Sequence, residues 1–245
     1  VWIPIGNVKY NTSGAYKTIN FGRYTFANNG TATMRQSADD YSMVVSIDVG
    51  DVQRYEELTK RDDNTPAKNL GDFITKAKNA GGYYIGRYEA GKVSENTNTF
   101  NIKKGQTVYN EINQRNAATL SRNLYSGNSN FQSDLINSYT WDTAIVYIQT
   151  FSGDLDYSKQ VRLQSSMTTT GNAHDSNNNY DVRCNIYDMA GSVHEWTTEH
   201  YTYSTREAVY RGGRYNAPRF YTAYRYGDGE YTNENYVGFR SILYL

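Results

Sequence analysis

His194-Glu195 followed by His200 is the first grouping in this chain that could do chemistry. A zinc protease needs two histidines four residues apart on a helix, so that both ring nitrogens reach one ion while the glutamate serves as general base. Here the histidines lie six apart in a Trp-Thr-Thr stretch, whose aromatic and β-branched residues favour a strand. The zinc reading is rejected. Asp175, Asn177, Asn179 and Asp181 alternate like the oxygen ligands of a calcium loop. An EF-hand loop needs Gly and Glu where this chain has Tyr180 and Ile186, so a solvated Asn-rich loop is expected instead. Cys184 is the single cysteine, which excludes an intramolecular disulfide and any CxxC-type zinc or redox site. It reads as a lone buried thiol. Neither a phosphate loop nor a GxGxxG fingerprint is present, so no nucleotide cofactor is supported. No metal and no cofactor are expected.

The segment Arg214 to Tyr236, RYNAPRFYTAYRYGDGEYTNENY, is a different kind of candidate. Tyr and Arg offer large contact area with polar tips and little loss of side-chain freedom, which is why binding surfaces favour them. So many tyrosines among Arg and Asn make a poor core, and the segment reads as a binding face more than as a Tyr-rich strand pair packed on the interior.

The elements that must position these residues follow from periodicity. Trp2 to Ile5 is a short apolar run, and Tyr16 to Phe26 alternates like one half-buried strand, with a turn at Asn28-Asn29-Gly30. Residues 31–68 are irregular and polar, which predicts a long surface loop or insertion. Leu70, Phe73, Ile74 and Ala77 have helical spacing, stopped by Gly81-Gly82, and Tyr83 to Glu89 reads as an aromatic strand. A polar excursion is expected over residues 94–107. Helices are expected over 112–124, with Leu120 and Leu124 on one face, and from Trp141 to about Phe151, with Trp141, Ala144, Ile145 and Ile148 inward. Residues 168–180 read as a loop, and beyond Cys184 come short strands without a further helix. This alternation is α+β with few helices, irregular antiparallel sheet and long loops. A single domain over 1–245 is expected, since neither a repeat nor a linker is visible.

A chain of 245 residues buries roughly 70–75% of its unfolded surface and needs no staple to fold. Twenty-five basic and twenty-five acidic residues cancel, which argues against a phosphate-driven nucleic-acid binder and against attraction to anionic membrane. Nor does any run of about eighteen apolar residues exist to span a bilayer. The chain opens on Val1-Trp2 without Met, as expected of a piece whose export signal or anchor has been removed.

Asn185-Ile-Tyr-Asp-Met-Ala-Gly-Ser-Val-His-Glu-Trp196 resembles the DMaGNVWEW signature of the formylglycine-generating-enzyme (sulfatase-modifying-factor) family. Arg211-Gly212-Gly213 and Gly238-Phe239-Arg240 are similar to its RGG and GFR landmarks, Tyr83 to Glu89 to its early strand, and Asn137 to Thr143 to a helix start carrying Trp141-Asp142. The resemblance covers roughly residues 82–245 and implies a C-type-lectin-like fold. It does not carry over the activity. The enzymes hold copper with a cysteine pair between RGG and GFR, and ungapped alignment places those positions near Thr222 and Gly227. The helical iron-binding domain of the related sulfoxide synthases has no counterpart in this sequence. Ser192 and His194 also replace the Asn and Trp of GNVWEW, and that Asn helps hold calcium in relatives.

One branch of the fold is similar in a further way. The variable proteins of diversity-generating retroelements keep this scaffold and mutate codons between RGG and GFR, yielding Tyr, Asn, Asp, Ser, Arg and Phe. The opening Trp2 to Gly6 and the run from Tyr84 to Gly91 resemble proteins of gut bacteria and phage. What this implies is a non-enzymatic ligand-binding protein with a variable region over 211–240, displayed on a bacterial surface or virion, whose partner is an unknown protein or glycan. The expected exposed set comprises Arg214, Tyr215, Asn216, Ala217 and Arg219, followed by Phe220, Tyr226, Asp228, Glu230 and Tyr231. Glu230 needs a codon outside the usual mutated set. Trp196, Phe239 and the stretch from Ile186 to Gly191 are expected as fixed core, with Arg211 and Arg240 in buried structural pairs. The alternatives are a fixed-specificity adhesin, with Tyr rings stacking on glycans, and a surviving oxidase or iron enzyme in altered form.

Overall fold

The computed structural model describes residues 1–10, 14–38, 45–49, 52–57, 70–94, 98–201 and 208–245; over 45–49, 52–57 and 200–201 the description is of the backbone. The first half of the chain lays down short strands: β1 (Trp2–Pro4), β2 (Gly6–Lys9), β3 (Tyr16–Ile19), β4 (Gly22–Phe26) and β5 (Ala32–Ser37). They are followed by β6 (Val45–Val49), β7 (Val52–Glu57), helix α1 (Leu70–Ala80) and β8 (Gly82–Ile85). The middle holds β9 (Gly91–Lys92), β10 (Phe100–Asn101), α2 (Gln114–Asn123), β11 (Gln132–Leu135) and α3 (Ser138–Ser152). Short strands β12 (Val182–Arg183) and β13 (Ile186–Tyr187) precede β14 (His194–Tyr201), β15 (Ala208–Arg211) and β16 (Arg225–Asp228). The chain ends on β17 (Val237–Phe239) and β18 (Ser241–Tyr244).

Two sheets organise these pieces. One has the order β1-β8-β18-β11, with every neighbour antiparallel, so it ties the first residues to the last. The other runs β16-β15-β14-β7-β6, with β17 added parallel to β14. With three α-helices among the described residues and mostly antiparallel pairing, the architecture is the expected α+β fold with few helices. None of the described helices is long and apolar enough to cross a membrane.

The helices form where the spacing placed them, and their ends are set by local chemistry. Leu70, Phe73, Ile74 and Ala77 are the buried stripe of α1. Asn137 caps α3: its side chain accepts from the Thr140 amide at 3.0 Å while the Thr140 hydroxyl accepts from the Asn137 amide at 3.1 Å, which satisfies donors that a helix start leaves open. α3 therefore begins one turn earlier than the apolar pattern indicated. In that first turn Ser138 is polar yet buried, because it meets Glu199 and Arg211, while Tyr139 packs into the apolar core.

Three expectations about the N-terminal third are corrected. Tyr16 to Phe26 is two strands in different hairpins, broken at Asn20-Phe21 so that Phe21 can turn into the core. Residues 31–68 are not one surface loop. β5 completes a hairpin with β4, and β6 and β7 extend the larger sheet, while 39–44, 50–51 and 58–69 lie outside the described residues. Backbone ladders carry these strands, so the weak apolar alternation concealed them. The strand expected over Tyr83 to Glu89 ends at Ile85. In the polar excursion, Phe100–Asn101 pairs with Gly91–Lys92, and 95–97 lie outside the described residues.

Two apolar clusters fill the interior. Ile3, Phe21, Phe73, Tyr83, Trp141 and Ile242 belong to the first, which therefore joins the N-terminal hairpins to the C-terminal strand. Ile112, Leu135, Trp196, Val237 and Phe239 belong to the second, beneath the RGG-to-GFR segment.

Candidate functional site

The site is built outward from buried charge. Arg240 and Glu195 are both fully buried and meet in a two-pronged pair, Nε to Oε2 at 2.8 Å and Nη2 to Oε1 at 2.6 Å. The remaining Arg240 donors reach the Gly86 carbonyl at 2.7 Å and the Tyr187 carbonyl at 2.8 Å. One guanidinium thus fastens β14, the end of β8 and β13 to the strand pair that closes the chain. Glu89 accepts from the Ser192 hydroxyl at 2.6 Å. Burial, with Asp188 and Glu195 close by, holds its carboxyl well above the ordinary range. Asp188, raised to about 7 by burial first and then by Asp181, accepts the Gly171 amide and the Ala173 amide and pins that loop.

A second ionic cluster supports the other landmark. Arg211 donates to Asp142 at 2.5 Å, to Ser138 at 3.2 Å and to the Tyr224 carbonyl at 3.2 Å. Arg23 reaches the same Asp142 at 3.3 Å, and Glu199 meets Arg225 and Ser138. Both landmark arginines are therefore buried structural pairs, as expected. The two glycines after Arg211 are required by contact. A Cβ on Gly213 would stand 2.1 Å from the Ala190 carbonyl oxygen, and Gly212 has φ +86° against the Trp141 ring, a backbone only glycine adopts freely. Trp196, Phe239, Ile186, Met189 and Ala190 are core, as expected.

On this base the ten anticipated residues divide. Asn216, Arg219 and Tyr231 are exposed, and Arg214, Tyr215, Tyr226, Asp228 and Glu230 are half-buried. Ala217 and Phe220 are corrections: they are buried, at 8% and 4% exposure. Phe220 packs edge-on against His194 at 4.8 Å and against Tyr224 at 4.6 Å between centroids. Nothing in the local sequence distinguishes it from its displayed neighbours; the contact with His194 is long-range. Arg214 is clamped between Phe220 and Tyr236, 4.8 and 4.2 Å from the ring centroids. Tyr231 and Glu230 converge on Arg115 of α2, at 2.7 and 3.2 Å.

Sequence reasoning missed the half-buried Tyr224 and Tyr236, whose rings continue the face, and the buried Tyr210 beneath them. Tyr224 stacks on Tyr226 at 6.2 Å, and Tyr226 lies opposite Tyr210 on the neighbouring strand. The period-two spacing of Tyr224 and Tyr226 was a usable signal; for Arg115, over a hundred residues distant in sequence, there was none. His194 lies beneath, its Nδ1 2.8 Å from the Gly212 carbonyl. Burial chiefly lowers it to about 3.

The division of the segment yields a direct expectation. Phe220→Ala lowers unfolding free energy by about 3 kcal/mol, the lower end for a buried Phe because a loop can close around the space. Tyr231→Ala, at 65% exposure, changes it by less than about 1 kcal/mol. Urea denaturation of the two variants checks this.

Three motifs set aside in the sequence behave as solvated or structural groups. His194–Tyr201 is a strand, as the Trp-Thr-Thr stretch suggested. The Asp175 carboxylate accepts from the Asn177 amide and from the Asn179 amide and side chain, at 2.9 to 3.0 Å, so the loop occupies it. Cys184 departs from the expected buried thiol: it is half-buried, with partial burial raising its pKa. Among the described residues no group of three or more His, Cys, Asp or Glu is arranged to hold a metal. The copper positions of the enzymes do not fit that ion here. Thr222 donates its hydroxyl to the Gln160 carbonyl at 3.3 Å, and Gly227 is a buried strand residue; neither offers a thiolate.

Residues 79–244 match the protein family described as "Sulfatase-modifying factor enzyme 1-like domain". No curated protein sequence matches the chain. Among solved structures, one titled "Crystal Structure of CarF" is 12% identical, with 100% of this chain and 98% of that chain covered and a TM-score of 0.42.

Proposed function

This chain belongs to the sulfatase-modifying factor enzyme 1-like family, and from that premise we propose that it is a non-enzymatic ligand binder whose recognition face is the segment between Arg211 and Arg240. The observation that carries the reading is how the segment's backbone is held. The amide of Gly213 donates to the Met189 carbonyl at 3.1 Å, and that of Tyr215 to Ser192 at 2.9 Å. The Gln164 amide donates to the Tyr215 carbonyl at 2.6 Å, and the amides of Thr222 and Ala223 donate to Gln160 and Ser158 at 3.0 and 2.9 Å. Main-chain bonds do not depend on which side chains are displayed, so Tyr215, Asn216, Arg219 and Tyr231 can change while the loop keeps its course. That property suits a face varied by a diversity-generating retroelement and shown on a bacterial surface or phage virion to a protein or glycan. Ala217 and Phe220 fall to the supporting side of the segment.

The missing cysteine pair supports the non-enzymatic part. A fixed-specificity glycan binder on the same scaffold is the second reading, favoured by the stacked, half-exposed rings of Tyr224 and Tyr226. Sequencing the gene across a population of its source separates the two. Substitutions crowding into codons 214–236, sparing 217 and 220, with 82–210 constant, are expected. Variation spread evenly along the chain would overturn the diversified reading, and glycan-array binding lost in Tyr224→Ala would then support the second.

A further inference from the structure

Arg214, at the start of this face, is a cation without an acceptor. Its guanidinium carbon lies 4.2 Å from the centroid of the Tyr236 ring and 4.8 Å from that of Phe220. Such rings attract a cation but offer no oxygen, and among the described residues no hydrogen bond or ion pair includes this side chain. Its Nε is enclosed and unmatched, although the residue as a whole is only half-buried. Arg219 repeats the situation in the open. Its guanidinium carbon is also 4.8 Å from the Phe220 centroid. It is exposed, and it too has neither a paired carboxylate nor a hydrogen-bond acceptor among the described residues. Two positive charges therefore flank one ring. We propose that these arginines take an oxyanion, a carboxylate, sulfate or phosphate group of the ligand, with Arg214 as the anchor. The inference rests on the reading of this segment as a binding face and adds the ligand chemistry that this sequence of the face selects.

The surrounding charges leave that role open. The carboxylates of the segment are Asp228, Glu230 and Glu234. Asp228 accepts from the Gly229 amide at 2.8 Å, and Glu230 from Arg115 at 3.2 Å. Glu234 stands close to Tyr236. None of the three is in an ion pair with Arg214 or Arg219. Geometry supplies the second argument. The main chain is fixed on either side of Arg214, the Gly213 amide on the Met189 carbonyl at 3.1 Å and the Tyr215 amide on the Ser192 carbonyl at 2.9 Å. Phe220, buried, and Tyr236, half-buried, hold the side chain itself. A long side chain ordinarily loses freedom when it binds, and here that ordering precedes the ligand. A guanidinium carries its N–H donors in one plane, in a fork that matches two oxygens of one oxyanion. The ring cage keeps that fork in place before anything binds.

The test is an NMR titration of the purified, isotope-labelled chain at constant ionic strength, with sodium chloride replaced stepwise by phosphate, sulfate, acetate or glucuronate. The Nε–H signal of Arg214, assigned by its absence from Arg214→Gln, is expected to move saturably with at least one of these anions. The Tyr215 amide, next in the chain, reports on the variants. Affinity should fall about tenfold or more in Arg214→Gln, and about two- to fivefold in Arg219→Gln, which removes an exposed charge. Arg214→Lys should bind more weakly than wild type and more tightly than Arg214→Gln, since it keeps the charge and loses the fork. Preference for phosphate and sulfate identifies a tetrahedral anion, and preference for acetate and glucuronate a carboxylate. No saturable shift with any of the four, or unchanged affinity in Arg214→Gln, overturns the inference. An array of neutral, sulfated and uronic-acid sugars separates that failure from failure of the binding face. Neutral sugars captured equally by wild type and Arg214→Gln, but lost in Tyr224→Ala, would keep the face as a binder and remove its anion anchor. The backbone spectrum of each variant without added anion checks that it folds.

Discussion

Arg240→Met is expected to lower unfolding free energy by about 3–5 kcal/mol at neutral pH, because it leaves Glu195 ionised and alone in the interior. Methionine restores much of the volume but none of the four hydrogen bonds to Glu195, Gly86 and Tyr187. The loss should also depend on pH in a stated direction. Without Arg240, the Glu195 carboxyl, already raised by burial, rises further. A carboxyl whose folded pKa exceeds its unfolded value near 4.5 is at its most favourable below that value, and its contribution fades as pH climbs toward the folded pKa. The variant should therefore recover part of its deficit between pH 7 and pH 5. Adding Glu195→Gln to the variant should recover part of it at every pH, by removing the charge. Urea titrations at both pH values, with slope unchanged, measure this; a deficit independent of pH and untouched by Glu195→Gln would mean that lost packing, and not stranded charge, dominates. The same strut connects β14 and β13 to the end of β8, so losing it should loosen the base of the segment between Arg211 and Arg240 before it alters any exposed side chain there.

How much of this was legible beforehand depends on the range over which each feature is determined. Helix α1 was readable because Leu70, Phe73, Ile74 and Ala77 declare a buried stripe within eleven residues. The roles of Arg211 and Arg240 were readable from landmarks whose resemblance carries their pairing. β5, β6 and β7 were not, since strands held by a ladder to distant partners need no strong apolar alternation of their own. Phe220 was misplaced for a related reason. Among Arg219, Tyr221 and Tyr224 a phenylalanine looks displayed, and only the approach of β14 with His194 makes it core.

His194 should make the protein lose stability in acid, and removing it should reverse that sensitivity. The imidazole is wholly buried, donates through Nδ1 to the Gly212 carbonyl, and has no partner at Nε2. Burial above all, opposed in part by that backbone bond and assisted by Arg214, lowers its pKa from 6.5 to about 3. A depressed histidine takes up its proton first in the unfolded chain. Its contribution is complete above pH 6.5 and is lost as pH falls below that value, at about 1.4 kcal/mol per unit. The loss is about 2 kcal/mol at pH 5 and approaches 4–5 kcal/mol near pH 3. Asp134 and Asp188, raised by burial to about 6 and about 7, work the other way over the same range, so wild type shows only the difference. His194→Phe separates the terms. At pH 7.5 the variant should be less stable by about 1 kcal/mol, the value of the lost bond to Gly212, while the ring still stacks on Tyr210, whose centroid lies 4.6 Å away in wild type. By pH 5 it should be the more stable of the two. A gap that stays constant between those pH values would sink the argument. Its consequence reaches the surface: a charged imidazole would stand beneath Phe220 and beside Arg214, and would repel the cation that Phe220 and Tyr236 hold in place. Acid would thus disturb the segment between Arg211 and Arg240 from below, through a wholly buried residue.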